Sequence, residues 1–128
     1  MDSLADLPGI AGTARRAGLD VETSVDAPED LPLGAQATAC AVVREALANA
    51  ARHAGATRAL VSVTATEARV RVDVRDSGPS AGWRPHPGTG NGLAVLRERV
   101  GLHGGTLTTG PFEDGFRVTA DIPLEDAR

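Results

Sequence analysis

The chain has 128 residues and a formal net charge of −4, so it fits one domain over residues 1–128 and lacks the clustered basic face that a direct nucleic-acid partner requires. It contains no Lys and a single Cys, which excludes a phosphate loop of the Gly-Lys-Ser/Thr type, a disulfide framework and a cysteine zinc site. No signal peptide is visible, and no apolar run approaches the roughly 18 residues of a membrane span. We therefore expect a cytoplasmic domain that makes no membrane contact itself, although a longer protein containing it can carry an anchor elsewhere.

The first predicted elements are a lead-in, a strand and a long helix. Residues 1–18 form the lead-in, which is short and helical or irregular. Apolar residues at mostly even spacing over residues 19–25 predict the first strand. From Leu33–Ala54 the apolar residues recur at three- and four-residue steps, which predicts a helix that ends at Gly55.

The middle of the chain predicts a hairpin followed by a loop and a helix. Residues 57–66 and 69–75 alternate between apolar and polar positions and are joined by a short turn, as in two paired strands. Residues 76–90 are rich in Gly, Pro and Ser and are interpreted as a functional loop. Helical spacing returns over Asn91–Leu102.

The last part of the chain predicts a second hairpin, and with it the fold class. Residues 106–109 and 116–122 alternate on either side of a turn that contains Pro and Gly. With only 2% aromatic residues, the core is expected to consist of Ala, Val and Leu. The element order predicts an α+β sandwich in which helices cover one face of a mixed, mostly antiparallel sheet. It lacks the alternating βαβ units of a dinucleotide-binding fold.

One stripe of the long helix carries polar side chains opposite its apolar face. At about 100° per residue, Glu45, Asn49 and His53 lie in line, with Arg52 beside them. A solvated helix face is the ordinary explanation of such a stripe. The alternative is a ligand site, because an Asn oxygen suits Mg²⁺ and an Arg fork pairs with phosphate oxygens.

Two further motifs are compatible with nucleotide binding. Asp76 ends a predicted strand, where its carboxylate can accept a hydrogen bond from an adenine amino group, and Gly78 lets the ring approach the backbone. Gly88, Gly90 and Gly92 open a helix, where backbone N–H groups can meet phosphates. Taken singly, the first motif is also an ordinary turn and the second a flexible hinge.

Taken together, the motifs resemble in order and spacing the N, G1 and G2 boxes of the GHKL ATPase superfamily of gyrase, MutL and histidine kinases. The matching segments are Glu45-x3-Asn49-x2-Arg52-His53, Asp76-x-Gly78 and Gly88-x-Gly90-x-Gly92. The continuation from Leu93 to Gly105 resembles histidine kinases that pair with NarL-type response regulators. The likeness covers nearly the whole chain.

The resemblance implies a Bergerat fold with ATP held between the long helix and a lid formed by residues 77–92. It implies that Asn49 coordinates Mg²⁺, that Asp76 binds the adenine amino group, and that the three glycines of the lid form its phosphate turn. These roles come from the family and not from the spacing alone.

The remaining N-box residues are assigned from the same resemblance. Arg52 and His53 occupy positions where the family carries Lys or Arg followed by His or Tyr. Glu45 matches the acidic position and is expected to organise Mg²⁺ and water, since in kinases the proton acceptor is expected on another domain.

The chain departs from the family pattern at two points. Ser80 follows Pro79 where a second glycine is usual, which affects the expected geometry of the lid. No helical hairpin with a phosphoacceptor His precedes the domain, and His53, His86 and His103 stand in the wrong contexts for that role.

The resemblance therefore predicts the catalytic, ATP-binding domain of a sensor histidine kinase. Such a domain donates the γ-phosphoryl group of ATP to a His on a dimerisation domain absent from this chain, with a response regulator downstream. Two alternatives stay open: a stand-alone anti-sigma-factor serine kinase, and a non-catalytic module whose partner surface is controlled by nucleotide.

Overall fold

A computed structural model describes residues 2–55, 57–79 and 91–124. Within these ranges, three helices form one layer of the fold. The predicted lead-in contains a short 3-10 turn, Leu4–Asp6, followed by a helix. The helices are α1 (Leu7–Arg16), α2 (Leu33–Ala54) and α3 (Asn91–Leu102).

Within the same described ranges, five strands form a single sheet, which is the other layer of the fold. The strands are β1 (Asp20–Asp26), β2 (Arg58–Ala65), β3 (Arg69–Asp76), β4 (Thr106–Phe112) and β5 (Gly115–Pro123). Their order across the sheet is β1-β2-β3-β5-β4, in which β1 is parallel to β2 and the other neighbours are antiparallel. The predicted α+β class with a mixed, mostly antiparallel sheet is confirmed. One feature was not predicted: β1, α2 and β2 form a parallel crossover unit.

The core lies between the helices and one face of the sheet. Helix α2 packs on β2, β3 and β5, while α1 covers β1 and α3 covers β4. Strands β2, β3 and β5 contribute alternate residues to this face, so in β3 the buried positions are Val70, Val72 and Val74. Among the described residues the buried hydrophobic side chains are Ala, Val, Leu, Ile and Cys, with no aromatic ring, which confirms the prediction from composition.

The buried face of α2 is wider than the sequence pattern indicates. Besides the predicted apolar stripe, Val42, Ala46 and Ala50 are buried, because α1 and α3 pack on either side of α2 above the sheet. A helix enclosed from three sides needs small residues on most of its circumference. Within the described ranges, no helix combines the length and hydropathy needed to cross a bilayer.

The β4–β5 hairpin is tighter than predicted. The sequence pattern predicted that the first strand of this hairpin ends at residue 109, yet β4 continues to Phe112. Only Glu113 and Asp114 therefore connect the two strands. Pro111 pairs with Phe116 across this hairpin. A proline is tolerated there because β4 is at the edge of the sheet, where one of its sides makes no ladder hydrogen bonds.

Candidate functional site

A cavity of about 380 Å³ opens between α2, the end of β3, the start of α3 and the β4–β5 hairpin. Four residues predicted for the site line it: Asn49 and His53 from α2, and Asp76 and Gly78 from the end of β3. Residues that are distant along the chain therefore meet at one surface. A larger cavity between α1 and α2 contains none of the predicted site residues.

The end of β3 holds the Asp76 carboxylate in a defined orientation. Its Oδ1 accepts a hydrogen bond of 2.9 Å from the backbone N–H of Gly78. Gly78 has a φ of +91°, and a Cβ at this position would overlap the carbonyl oxygen of Asp114. Glycine is required here both by the backbone conformation and by the close approach of the hairpin.

A buried hydroxyl group anchors the same turn to the rest of the fold. Thr57 is only 8% exposed, and its Oγ1 donates a 2.7 Å hydrogen bond to the carbonyl oxygen of Gly78. Ser77 donates its backbone N–H to the Arg58 carbonyl oxygen, which continues the pairing of β2 and β3 by one step. The turn that follows Asp76 is therefore anchored to β2.

The polar stripe of α2 forms its own hydrogen-bonded group. The guanidinium of Arg52 donates through Nη2 to Asn49 Oδ1 and, at 3.4 Å, to Glu45 Oε2. Asn49 and Glu45 are half-buried and His53 is exposed. Of these residues Asn49 and His53 line the cavity, and Glu45 and Arg52 do not. The group combines an amide oxygen, a carboxylate and a guanidinium, which suit phosphate oxygens and a hard cation.

The start of α3 lies directly against this group. A Cβ placed on Gly92 would overlap the carboxylate of Glu45, so this predicted glycine allows the helix to approach α2. Gly88 and Gly90 are outside the described residues, as are Ser80 and residues 81–90 of the predicted lid. Of the predicted phosphate turn, only Gly92 can be located.

No set of three or more His, Cys, Asp or Glu side chains able to hold a metal occurs among residues 2–55, 57–79 and 91–124. The sequence predicts one protein ligand for a metal ion at this site, Asn49. Mg²⁺ accepts such an arrangement, because it commonly keeps several waters and completes its shell with phosphate oxygens.

The protein-family comparison agrees with this geometry. Residues 34–126 match the family described as histidine kinase-, DNA gyrase B- and HSP90-like ATPase. The matched range includes α2, the end of β3 and α3, which are the elements that form the cavity. The chain belongs to this ATPase family. Membership implies that the domain binds ATP.

The curated relatives of this ATPase domain are sensor histidine kinases. The chain is 35% identical over 119 residues to the sensor histidine kinase NarS of Mycobacterium tuberculosis, covering 90% of this chain and 28% of NarS. It is 30% identical over 116 residues to the sensor histidine kinase LnrJ of Bacillus subtilis, again covering 28% of the relative. The ATPase domain thus spans about a quarter of the length of these proteins.

Solved structures share the fold of the ATPase domain. The blue-light activated histidine kinase of Erythrobacter litoralis EL346 superposes with a TM-score of 0.72 at 26% identity, over 94% of this chain and 41% of that one. The catalytic domain of the histidine kinase ThkA gives a TM-score of 0.71 at 23% identity, over 96% and 93% of the two chains. The predicted Bergerat-type sandwich is confirmed.

The sequence patterns did not predict the fourth wall of the cavity. Asp114, Gly115 and Phe116 of the hairpin line it, opposite the end of α2. They follow Asp76 by almost forty residues and belong to no box of the ATPase motif. The signal present in the sequence was Gly115, since a Cβ there would overlap the Asp76 carbonyl oxygen and lie 2.8 Å from Asp76 Oδ1.

Two other residues with reactive side chains, His103 and the single cysteine, Cys40, lie away from the cavity. His103 contacts Thr38 through Nε2 at 3.0 Å in the contact between α2 and α3. Cys40 is fully buried, and burial raises the pKa of its thiol to about 11. The side chains of His103 and Cys40 are packed within the fold, away from the cavity. His86 is outside the described residues.

Proposed function

We propose that this chain is the ATP-binding catalytic domain of a sensor histidine kinase. The observation that carries the proposal is that Asn49 and Asp76, from separate motifs, line one cavity of about 380 Å³ beside the start of α3. The ATPase family and the names of the curated relatives support it. These names do not favour the serine kinase or the non-catalytic module.

In the proposed binding mode, adenine enters the cavity and its amino group donates to the Asp76 carboxylate. Gly78 N–H already holds Oδ1, so the carboxyl group is oriented before the base arrives. Val74, Leu93 and Val118 line the same cavity and provide apolar surface for the ring.

The phosphates would lie toward the start of α3. We assign Arg52, His53 and the glycines at 88, 90 and 92 to the phosphate end, where backbone N–H groups and a guanidinium meet negative charge. The residues present also fit Mg²⁺: Asn49 would hold the ion, and Glu45, one helical turn away, would order its water. When bound, Mg²⁺ supplies neutralisation of phosphate charge.

The proposed reaction is transfer of the γ-phosphoryl group to a histidine nitrogen on a dimerisation domain of the same or a partner chain. The bond from the γ-phosphorus to the bridging oxygen breaks, a P–N bond forms, and ADP is released. The contribution of this chain is to bind and orient ATP. A response regulator, of the NarL type by resemblance, would then receive the phosphoryl group, and the reaction would take place in the cytoplasm.

The site assignment is tested by calorimetry of ATP binding with and without Mg²⁺. Asp76→Asn is expected to weaken binding at least tenfold, because an amide N–H₂ then faces the adenine amino group. Asn49→Ala is expected to remove most of the difference between the Mg²⁺ and EDTA titrations. Asp20→Asn, an exposed carboxylate on β1, is the matched control and should bind as the wild type. Unchanged affinity in both site variants refutes the assignment.

The kinase assignment is tested on the longer protein that contains this domain. After incubation with labelled ATP, a phosphohistidine is expected, and its P–N bond makes the label acid-labile and base-stable. An acid-stable, base-labile label would instead show transfer to serine. Tight ATP binding without any labelled protein would favour the binding module.

A further inference from the structure

An aromatic ring and two arginines meet on the face of the sheet opposite the helices. Phe112 is the last residue of β4, and the guanidinium carbons of Arg75 and Arg117 lie over its ring, 5.4 Å and 5.0 Å from the centroid. Arg75 and Arg117 are register partners on β3 and β5. Cations at this distance are attracted by the electron-rich face of the ring.

One of the two cations is fixed by a carboxylate. Arg117 Nε lies 3.2 Å from both carboxylate oxygens of Asp73, and Nη2 donates to Asp73 Oδ2 as well. This hydrogen bonding raises the pKa of Arg117 above its usual value. Because Asp73 is on β3, the ion pair joins β5 to β3 beside the ring.

Phe112 immediately precedes the hairpin turn that forms the fourth wall of the cavity. Glu113 has a φ of +53°, and the chain then reaches Asp114 and Gly115, whose backbones contact the end of β3. The contacts on the Asp76 side are close: no side chain fits on Gly115 or on Gly78. The distance between this turn and the Asp76 carboxylate is therefore set by where the hairpin is held.

Arg75 and Asp76 are neighbours in β3, and their side chains lie on opposite faces of the sheet. The Arg75 side chain reaches the ring on one face, while the Asp76 side chain lines the cavity on the other. A change in the ring contact on the open face would therefore shift the turn and Asp76 relative to each other.

We propose that Phe112, in contact with Arg75 and Arg117, is a positioning residue for the nucleotide base: it holds residues 113–115 against Asp76 and so sets selectivity for the adenine amino group. The inference rests on the proposed role of Asp76. Phe112 itself touches no substrate in this arrangement. Its effect is on the width of the space between the hairpin and the end of β3.

The test is the ratio of dissociation constants for ADP and inosine diphosphate, measured by calorimetry on the 128-residue chain. Inosine carries a carbonyl oxygen in place of the adenine amino group, so the ratio reports the Asp76 contact. Phe112→Leu, which keeps an apolar side chain without a ring, is expected to reduce the preference for ADP by about two- to fivefold. Phe112→Tyr, which keeps an aromatic ring, should keep the wild-type preference for ADP. A loss of folded protein alone would weaken the binding of both nucleotides equally and leave the ratio of dissociation constants unchanged.

Two further variants complete the experiment. Arg75→Met keeps the ring and removes one cation, so it should shift the ratio in the same direction by a smaller factor. Arg71→Met changes an exposed arginine on the same strand that makes no described contact with the ring, and it should leave the ratio at the wild-type value.

The outcomes separate the inference from the function on which it rests. If the wild-type protein prefers ADP and Phe112→Leu keeps that preference unchanged, the positioning role alone is overturned. If Phe112→Leu does not fold, an unchanged preference in Arg75→Met has the same meaning. Wild-type protein that binds both diphosphates equally, or an Asp76→Asn variant that keeps the wild-type preference, overturns the assignment of Asp76 itself.

Discussion

Gly92 shows how a single missing side chain brings two elements of the site together. The residue is at the start of α3, where a Cβ would occupy the space of the Glu45 carboxylate. Gly101, on the same helix, is exposed, and a Cβ there would meet no atom of a neighbouring element within 4 Å. The same residue type therefore leaves room for the end of a neighbouring side chain at one position and is a source of chain flexibility at the other.

Gly92→Ala is expected to destabilise the domain by no more than about 1 kcal/mol, because the added methyl group displaces only the flexible end of the Glu45 side chain. In a Glu45→Ala background most of this cost should disappear. Gly101→Ala is the matched control and should stabilise the protein by about 0.5–1 kcal/mol, as alanine is the better helix former. Urea unfolding of these variants and their parent proteins measures the coupling. Equal costs of Gly92→Ala in both backgrounds would show that Glu45 is not the obstacle.

At the scale of elements, α3 is attached to α2 by a small polar group within an otherwise apolar contact. Thr38 is 1% exposed, and its Oγ1 lies 3.0 Å from His103 Nε2 and accepts a 3.1 Å hydrogen bond from Arg99 Nε. Leu96 and Val100 are buried on the same side of α3. The apolar residues provide the attraction between the helices, and the polar group specifies how they align.

Thr38→Val removes the hydroxyl while keeping the shape of the side chain, and it should cost about 1–2 kcal/mol by leaving its two partners without their hydrogen bonds. Thr13→Val is the control, since Thr13 is exposed on α1 and should change stability by less than about 0.5 kcal/mol. Denaturant unfolding measures both. Equal effects of the two variants would contradict a role for Thr38 in helix alignment.

The elements themselves were largely predictable because their signals are local. The spacing of small and apolar residues defined α2 and α3 to the residue, and alternation located β2 and β3 within one or two residues. The β4–β5 hairpin was predicted, but β4 was ended three residues too early, since Gly110 and Pro111 usually interrupt strands. They are tolerated only because β4 is an edge strand, which is a property of the sheet and not of the segment.

At the scale of the whole molecule, one core joins the site to the rest of the fold. Cys40 lies in the middle of this core on α2, fully buried, and donates its S–H to the Ser3 carbonyl oxygen at 3.0 Å. Burial, and then the nearby charges of Asp2 and Asp6, raise its pKa from 9.0 to about 11. The folded state thus favours the neutral thiol. That contribution to stability is complete below pH 9 and is lost as the pH rises through about 11.

Cys40 is therefore expected to react with a thiol reagent at about pH 8 only when the domain unfolds. Val72→Ala, a truncation of a fully buried residue distant in sequence, should destabilise the fold by about 2 kcal/mol and accelerate labelling more than about tenfold. Stopped labelling followed by mass spectrometry gives the rates. Rapid labelling that is insensitive to Val72→Ala would show that the lead-in opens locally and exposes Cys40 without global unfolding.

The sequence by itself determined α2, α3, most strand positions, the α+β class and the family, because periodicity and the spacing of the N, G1 and G2 motifs are local properties. The roles of Glu45, Asn49, Arg52, His53, Asp76, Gly78 and the glycines at 88, 90 and 92 stay predictions, although the described ones are found close together. Only the tertiary structure decided that β5 lies between β3 and β4, and that the hairpin after Phe112 closes the cavity beside Asp76. Those contacts join residues almost forty positions apart through backbone approach at Gly78 and Gly115, and no periodic pattern of side chains encodes such an approach.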